Sequence, residues 1–205
     1  MTLDIKPTRS ELIKLKKRIK LAQSGYGLLK KKRDGLILEF FKILKEVKKL
    51  RGKISEDYKD ALEKIARARL LETDTSLESI ALAVKDKPRV EVSQRNIMGV
   101  IVPKVSSEAG KKGVMLRGYG ITSSSASVDD AAEGFEKVVE SIIVAAEVET
   151  SMKKVLAEID STKRRVNALE FEVIPKMRSA RDFITLRLEE MERENVFRLK
   201  RIKKK

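Results

Sequence analysis

Near its start, the chain carries apolar residues at steps that alternate between three and four without a break. Thirteen positions take part in this stripe, and only one of them, Arg33, is polar. Alternating steps of three and four are the heptad pattern of a helix that packs one narrow face against a partner helix. The pattern therefore predicts a long coiled-coil helix with these seam positions: Leu12, Leu15, Ile19, Ala22, Tyr26, Leu29, Arg33, Leu36, Phe40, Ile43, Val47, Leu50 and Ile54.

The limits of this helix follow from its flanking residues. Pro7 is followed by Thr8, and Glu11 lies three residues beyond Thr8, which is the capping-box pattern of a helix start. Seam positions continue as far as Ala68, and we expect the helix to end near residue 74. The first predicted region is therefore an N-terminal coiled-coil helix over residues 8–74.

Residues 75–127 have a different pattern and predict a small central head. Thr75 and Glu78 repeat the capping-box spacing, so a short separate helix is expected over 76–84. This helix is predicted to end before Pro88, because a proline in the interior of a helix removes a backbone hydrogen bond and its ring clashes with the preceding turn.

Short β-strands are expected in the rest of the head. Val90 and Val92 alternate with polar neighbours, and Ile97–Val102 is a β-rich run that is closed by Pro103. Glycines then surround a second weak strand, Val114–Arg117. The head is therefore predicted to contain a small β-hairpin.

A second long helix is predicted over 128–202, with an apolar stripe of its own. Neither long helix can bury its stripe alone, and the simplest mutual solution is an antiparallel two-helix coiled coil closed by the head. The predicted fold is dominated by α-helices, with both chain ends at the same end of the coil. The seam positions assigned to the second helix are Leu156, Ile159, Val166, Leu169, Val173 and Ile184.

Two features interrupt the regularity of these helices. Pro175 lies within the second stripe, where it removes a backbone hydrogen bond, and we expect it to kink the helix. Gly25 and Gly27 bracket Tyr26 in the first helix, where glycine is unfavourable. These glycines fit a close approach between the two helices, a close approach by a surrounding partner, or a segment of torsional compliance.

Charge is large and unevenly placed along the chain. The formal net charge is +15, with strongly basic stretches at 9–53 and 193–205 and an acidic stretch at 128–149. Because the predicted fold brings the two chain ends together, an acidic partner is expected near them. Charge alone does not distinguish a protein partner from a nucleic acid or a membrane surface.

The composition argues against an enzyme. The chain contains no His, Cys or Trp, only 4% aromatic residues and 38% charged residues. His is the commonest acid–base group at neutral pH, and Cys supplies thiol nucleophiles and metal ligands. We therefore expect a non-catalytic protein without a cofactor or metal. We also expect any membrane association to be peripheral, because the longest apolar run, Ile142–Ala146, is too short to cross a bilayer.

Several strings resemble the D subunit of the archaeal and vacuolar-type rotary ATPases. The N-terminal part is similar to the start of that family at Pro7-Thr8-Arg9 and at GLLKKKRD over 27–34. The most specific string is RRVNALEFEVIP over 164–175, and the tail LEEMERE over 188–194, with Phe197 and Lys200, also fits. The resemblance covers both long helices and most of the chain.

This resemblance implies a central-stalk rotor subunit of an ATP synthase. In the family, the paired terminal helices sit in the bore of a hexamer of catalytic A and non-catalytic B subunits. The other end joins the small F subunit of the stalk and the C subunit, which is the membrane-ring adaptor, and rotation couples ion flow to ATP synthesis or hydrolysis. The chain would then lie peripherally at the cytoplasmic face of the cell membrane. The expected shaft kink is Pro175, and the expected bore contacts are Arg9, Lys14, Lys17, Arg198 and Arg201.

Two alternatives compete with this interpretation. A nucleic-acid-associated coiled coil is supported by the net charge but by no base-reading motif, and its affinity would fall steeply with salt. A passive basic scaffold would be indifferent to nucleotide turnover in its partner.

Overall fold

The computed structural model describes residues 6–84, 90–107, 117–120 and 125–204. The elements, in chain order, are α1 (Arg9–Leu71), α2 (Asp74–Ala83), β1 (Val90–Ile97), β2 (Val100–Ser107), α3 (Ala126–Ala168), a π-helical turn (Leu169–Val173) and α4 (Ile174–Lys203). The prediction of a helix-dominated fold with a long helix at each end and a small central hairpin is confirmed.

The chain packs as two compact units. The terminal unit combines Met1–Leu36 with Ile159–Lys205, and the middle unit is Ile37–Glu158. The predicted division into 8–74, 75–127 and 128–202 separates helices from the head rather than packing units, and it stays a prediction.

The starts of the first two helices differ in their capping. The Thr8 hydroxyl accepts a hydrogen bond from the Glu11 backbone N–H at 3.3 Å, as the capping pattern predicted. The second capping prediction is wrong, because Thr75 lies inside α2, which starts at Asp74. Thr73 is the N-cap, with extended backbone angles and no side-chain capping bond. The Asp74 carboxylate lies in the first turn, where its negative charge interacts favourably with the helix dipole.

In the terminal unit, α1 and α4 run antiparallel. Arg9 at the start of α1 pairs with Glu192 near the end of α4. Further along, Leu12 and Ile13 share one surface hollow with Thr185 and Leu188, so position advances along α1 as it recedes along α4. The buried residues of this unit are Ile19, Leu36, Ile159, Thr162, Val166, Ile174, Ala180 and Ile184.

In the middle unit, α1 and α3 also run antiparallel. Arg51 pairs with Glu149, and the Ser141 hydroxyl donates to the Asp57 carboxylate at 3.0 Å. The helices come close at Gly134, where a Cβ would lie 3.3 Å from the Cα of Ala61. Small residues at both positions therefore allow this approach.

The head contains a two-stranded antiparallel hairpin. Its register pairs Ile97 with Val100, so the chain reverses through Met98 and Gly99, whose φ angles are 51° and 88°. Positive φ at both central residues is the geometry of the type I′ turn that matches strand twist. The Asn96 side-chain oxygen accepts a hydrogen bond from the Gly99 N–H at 2.7 Å.

This hairpin corrects the predicted strand limits. Ile97–Val102 is not one strand, because the turn divides it, and Pro103 lies within β2 opposite Gln94. Backbone N–H groups along β2 point alternately toward and away from β1. In this register the nitrogen of residue 103 points away from β1, so a proline at this position removes no hydrogen bond between the strands. Of the predicted strand Val114–Arg117, residues 114–116 lie outside the described residues and Arg117 is in a bend.

Candidate functional site

The predicted bore-contact residues all lie on the terminal unit. Arg9 pairs with Glu192, Lys14 pairs with Glu11 at 2.9 Å, and Arg198 lies 3.7 Å from Glu194. These pairs are solvent-exposed, and exposed ion pairs contribute little to stability. Lys17 and Arg201 are also exposed. The cations are therefore accessible to an acidic partner, and their role as partner contacts stays a prediction.

The Lys14 ammonium also perturbs its neighbour. Its hydrogen bond to the Glu11 carboxylate, together with its charge, lowers the pKa of that carboxyl below the ordinary value. Glu11 consequently stays ionised at neutral pH, and it supplies the negative charge that favours the first turn of α1.

Exposed apolar side chains lie between the cations near the end of α4. Phe197 is 65% exposed and Ile202 is 71% exposed, and Val196 and Leu199 are exposed as well. The Lys200 ammonium lies 6.0 Å from the centre of the Phe197 ring. Sequence reasoning missed this surface, although the apolar positions after Met191 already leave the stripe spacing. Mixed cationic and apolar surface of this kind is typical of a protein-binding face.

The seam residues differ in how deeply they are buried. Seven are buried: Ile19, Leu36, Ile43, Val47, Ile159, Val166 and Ile184. Eleven are half-buried: Leu12, Leu15, Ala22, Tyr26, Leu29, Arg33, Phe40, Leu50, Ile54, Leu169 and Val173. Leu156 is the exception, because it is 44% exposed while Val155 is fully buried. Ser151, Val155 and Ile159 follow four-residue steps, so the buried face passes through residue 155 instead.

Pro175 lies at the second position of α4, directly after the π-helical turn. The Ile174 N–H donates to the carbonyl of Leu169, five residues earlier. Proline has no N–H and its ring would clash with the carbonyl four residues before it in a regular helix, and the wider π turn falls where that clash would occur. The predicted kink at Pro175 stays a prediction.

A second polar cluster lies in the middle unit around Arg117. Its side chain is 7% exposed, and its guanidinium donates to both Glu136 carboxylate oxygens at 3.1 and 3.2 Å. The same guanidinium donates to Asp129, whose carboxylate also accepts the Tyr119 hydroxyl. Sequence reasoning missed this cluster because its members follow no periodic pattern.

The cluster is suited to a structural role. Burial raises the pKa of the Tyr119 phenol, and its hydrogen bond to Asp129 raises it further, so the phenol stays protonated at neutral pH. Both carboxylates face the guanidinium. Gly118, at φ +88°, brings its backbone against α2, where a Cβ would lie 2.9 Å from the Ala83 carbonyl oxygen. The cluster thus fastens residues 117–120 to α3, and Gly118 lets the same segment lie close to the end of α2.

Among residues 6–84, 90–107, 117–120 and 125–204, no group of three acidic side chains is arranged to hold a metal ion. In that same part of the chain, no helix has the length and apolar character needed to span a bilayer.

Comparison with known proteins identifies the family. The family model for the ATP synthase D subunit matches residues 11–204. The D subunit of the A-type ATP synthase of Methanococcoides burtonii is 55% identical over 201 residues, which is 98% of each chain. The protein of that name in Methanosarcina acetivorans is 53% identical over 200 residues, covering 98% of this chain and 96% of the relative. That of Halobacterium salinarum strain R1 is 47% identical over 203 residues, covering 99% and 91%. With matches at this identity along almost the whole chain, this protein belongs to the family of ATP synthase D subunits.

Proposed function

We propose that this chain is the non-catalytic rotor shaft of the central stalk of an A-type ATP synthase, transmitting rotation between the membrane ring and the catalytic hexamer. The observation that carries the proposal is the terminal unit, where the start of α1 and the end of α4 lie side by side. Arg9 and Glu192 mark this end, and exposed cations and apolar side chains cover it. A slender two-helix end of this kind fits a bore.

The symmetry of such a shaft supports a coupling role. Two packed helices lack the threefold symmetry of a sleeve of alternating A and B subunits, so each catalytic site meets a different face of the shaft. Rotation then presents the faces to each site in turn. Attachment by exposed charge and shallow apolar contact would permit turning, because exposed ion pairs are individually weak.

The composition supports a division of labour within the complex. The chain has no His and no Cys, and nucleotide chemistry would lie on the A and B subunits. The other partners would be the small F subunit of the stalk and the C subunit that serves as ring adaptor. Through them the chain would be held peripherally at the cytoplasmic face of the membrane.

The attachment of the hairpin to the middle unit is evidence for a rigid head, which in this proposal faces the other stalk subunits. The Val105 N–H, which points away from β1, donates to the Glu147 carboxylate of α3 at 3.0 Å, and Val102 of the same strand is buried. The hairpin is thereby tied to α3. A head fixed to a shaft helix would pass torque to subunits bound around it.

Charge reversal at the exposed end tests the proposal. We expect Lys14→Glu, Lys17→Glu, Arg198→Glu and Arg201→Glu together to weaken assembly with a purified hexamer of A and B subunits at least tenfold, measured as co-elution and as the ATPase activity that the complex sustains. The matched control reverses four exposed lysines of the middle unit, Lys45, Lys48, Lys49 and Lys59.

The outcomes separate the proposal from its rivals. One copy of the wild-type chain per hexamer, with altered ATP turnover, supports the shaft. Unchanged assembly after reversal at the end, or an equal loss in the control, would contradict the bore contact. A chain that binds nucleic acid with steep salt dependence but no hexamer would favour the nucleic-acid alternative. A chain that binds the hexamer without changing turnover would favour the scaffold.

A further inference from the structure

The two glycines that flank Tyr26 make no packing contact that requires them. Apart from the adjoining residues and backbone of α1 itself, a Cβ at Gly25 or at Gly27 would meet no atom of the described chain within 4 Å. The predicted alternative of a close approach between the two helices is therefore wrong here, and that approach occurs at Gly134 instead. Glycine weakens a helix by losing backbone entropy. Two of them within three residues make a locally weak stretch of α1.

The facing helical segment of the terminal unit has its own weak stretch. The π-helical turn Leu169–Val173 interrupts the α-helical ladder between α3 and α4, and Pro175 follows it without an N–H to donate. On the outer face of this stretch the side chains add little packing, because Phe171 is 74% exposed and Glu172 and Lys176 form an exposed pair, whereas Ile174 is buried on the inner face. This stretch is weakened by its irregular backbone hydrogen bonding, whereas the stretch of α1 around Tyr26 is weakened by its two glycines.

These two stretches lie at the same level of the unit. Arg9 and Glu192 face each other, and Tyr26 lies 17 residues after Arg9 while Pro175 lies 17 residues before Glu192. Both intervals are regular α-helix, so at 1.5 Å per residue each corresponds to about 25 Å. We infer that the glycine pair and the π turn with Pro175 form one compliant joint, at which the terminal unit bends and twists more readily than on either side.

Such a joint would matter for a shaft that turns inside a sleeve, and this use rests on the proposed function. The end beyond the joint, with Phe197 and its neighbouring cations, could follow the changing shape of the bore while the rest of the unit keeps its packing. The joint itself is a property of this chain alone. It can therefore be tested without the complex.

Hydrogen exchange on the full-length chain measures the joint. We expect amides in 22–28 and in 169–177 to exchange faster than those in 12–19 and 180–188 of the same helices. The double variant Gly25→Ala/Gly27→Ala has room for both methyl groups. Each replacement should slow local opening of α1 about fivefold, from the helical cost of glycine, and the two together roughly 25-fold.

The decisive readout is the opposite helical segment. If the two stretches open together, the double variant also slows exchange in 169–177, although no residue there is changed. Gly52→Ala is the matched control, because Gly52 is helical with equally open space, and it should slow exchange near residue 52 only. The inference is overturned if either stretch exchanges no faster than its flanks, or if the double variant slows α1 alone.

Discussion

The guanidinium of Arg117 donates two hydrogen bonds to the carboxylate of Glu136, and Arg117 itself is only 7% exposed. A two-pronged, charge-assisted contact of this kind fixes orientation as well as distance. It joins residues 117–120, which follow the hairpin, to α3. The head is consequently attached to α3 both here and at Glu147.

Arg117→Ala should destabilise the chain by about 2–4 kcal/mol, because it leaves two partly buried carboxylates without their cation. Arg187→Ala is the control, since Arg187 pairs with Glu190 at 3.1 Å and lies 5.7 Å from the Phe183 ring centre, both in exposed positions, and should cost less than about 1 kcal/mol. Urea unfolding of both variants measures the difference. Equal losses in the two variants would show that burial adds nothing to the Arg117 contact.

Tyr119→Phe should reveal an alkaline dependence of stability. The pKa of Tyr119 is raised above its ordinary 10.0 by burial and by its bond to Asp129. The phenol's stabilisation is complete below pH 10 and declines above it, because the unfolded chain then loses its proton before the folded chain does. The variant should be about 1 kcal/mol less stable at pH 8. The difference from the wild type should shrink as the pH rises above 10, and a constant or widening difference would contradict the assignment.

Gly134→Val should destabilise the middle unit by about 2 kcal/mol, because the added atoms meet the Ala61 backbone at the helix contact. Gly52→Val has open space around its Cβ and should be neutral or slightly stabilising, since valine is the better helix former. Thermal unfolding followed by circular dichroism compares the pair. A Gly134→Val variant as stable as Gly52→Val would refute the close approach.

Met98→Asn should strengthen the hairpin by about 0.5–1 kcal/mol, because asparagine tolerates the positive φ of 51° better than methionine does. Amide exchange in β1 and β2 should slow roughly two- to fivefold by this estimate. Met98→Leu keeps an ordinary side chain at the same angle and should leave exchange unchanged. Faster exchange in Met98→Asn would mean that the Met98 side chain itself holds the turn.

The long helices could be predicted because their signal is local and repeats along the chain. The stripe from Leu12 to Ile54 reports a helical face directly, and the Thr8 cap needs only residues three apart. The same approach misplaced Leu156, because apolar residues occupy both 155 and 156 and a shift of one residue changes the face. Periodicity therefore locates a helix more reliably than it locates each buried side chain.

The hairpin of the head was predicted, but its strand limits and its contacts were not, because the features that decide them are not periodic. Met98 is an unusual residue for a left-handed turn position, so the turn that divides Ile97–Val102 left no clear signal. From the sequence alone, Pro103 indicates the end of a strand. In the structure it lies within β2, where its nitrogen points away from β1. Arg117 meets Asp129 and Glu136 across 12 and 19 residues, and such a contact depends on the fold rather than on spacing.

Observation of rotation tests the shaft most directly. The chain contains no Cys, so Glu91→Cys on exposed β1 provides a single attachment point for a bead, with the hexamer of A and B subunits fixed to a surface. The account predicts stepwise rotation of the bead in one direction during ATP hydrolysis, with fewer rotating complexes after charge reversal of Lys14, Lys17, Arg198 and Arg201. A bead that stays still on complexes with verified ATP hydrolysis would contradict it.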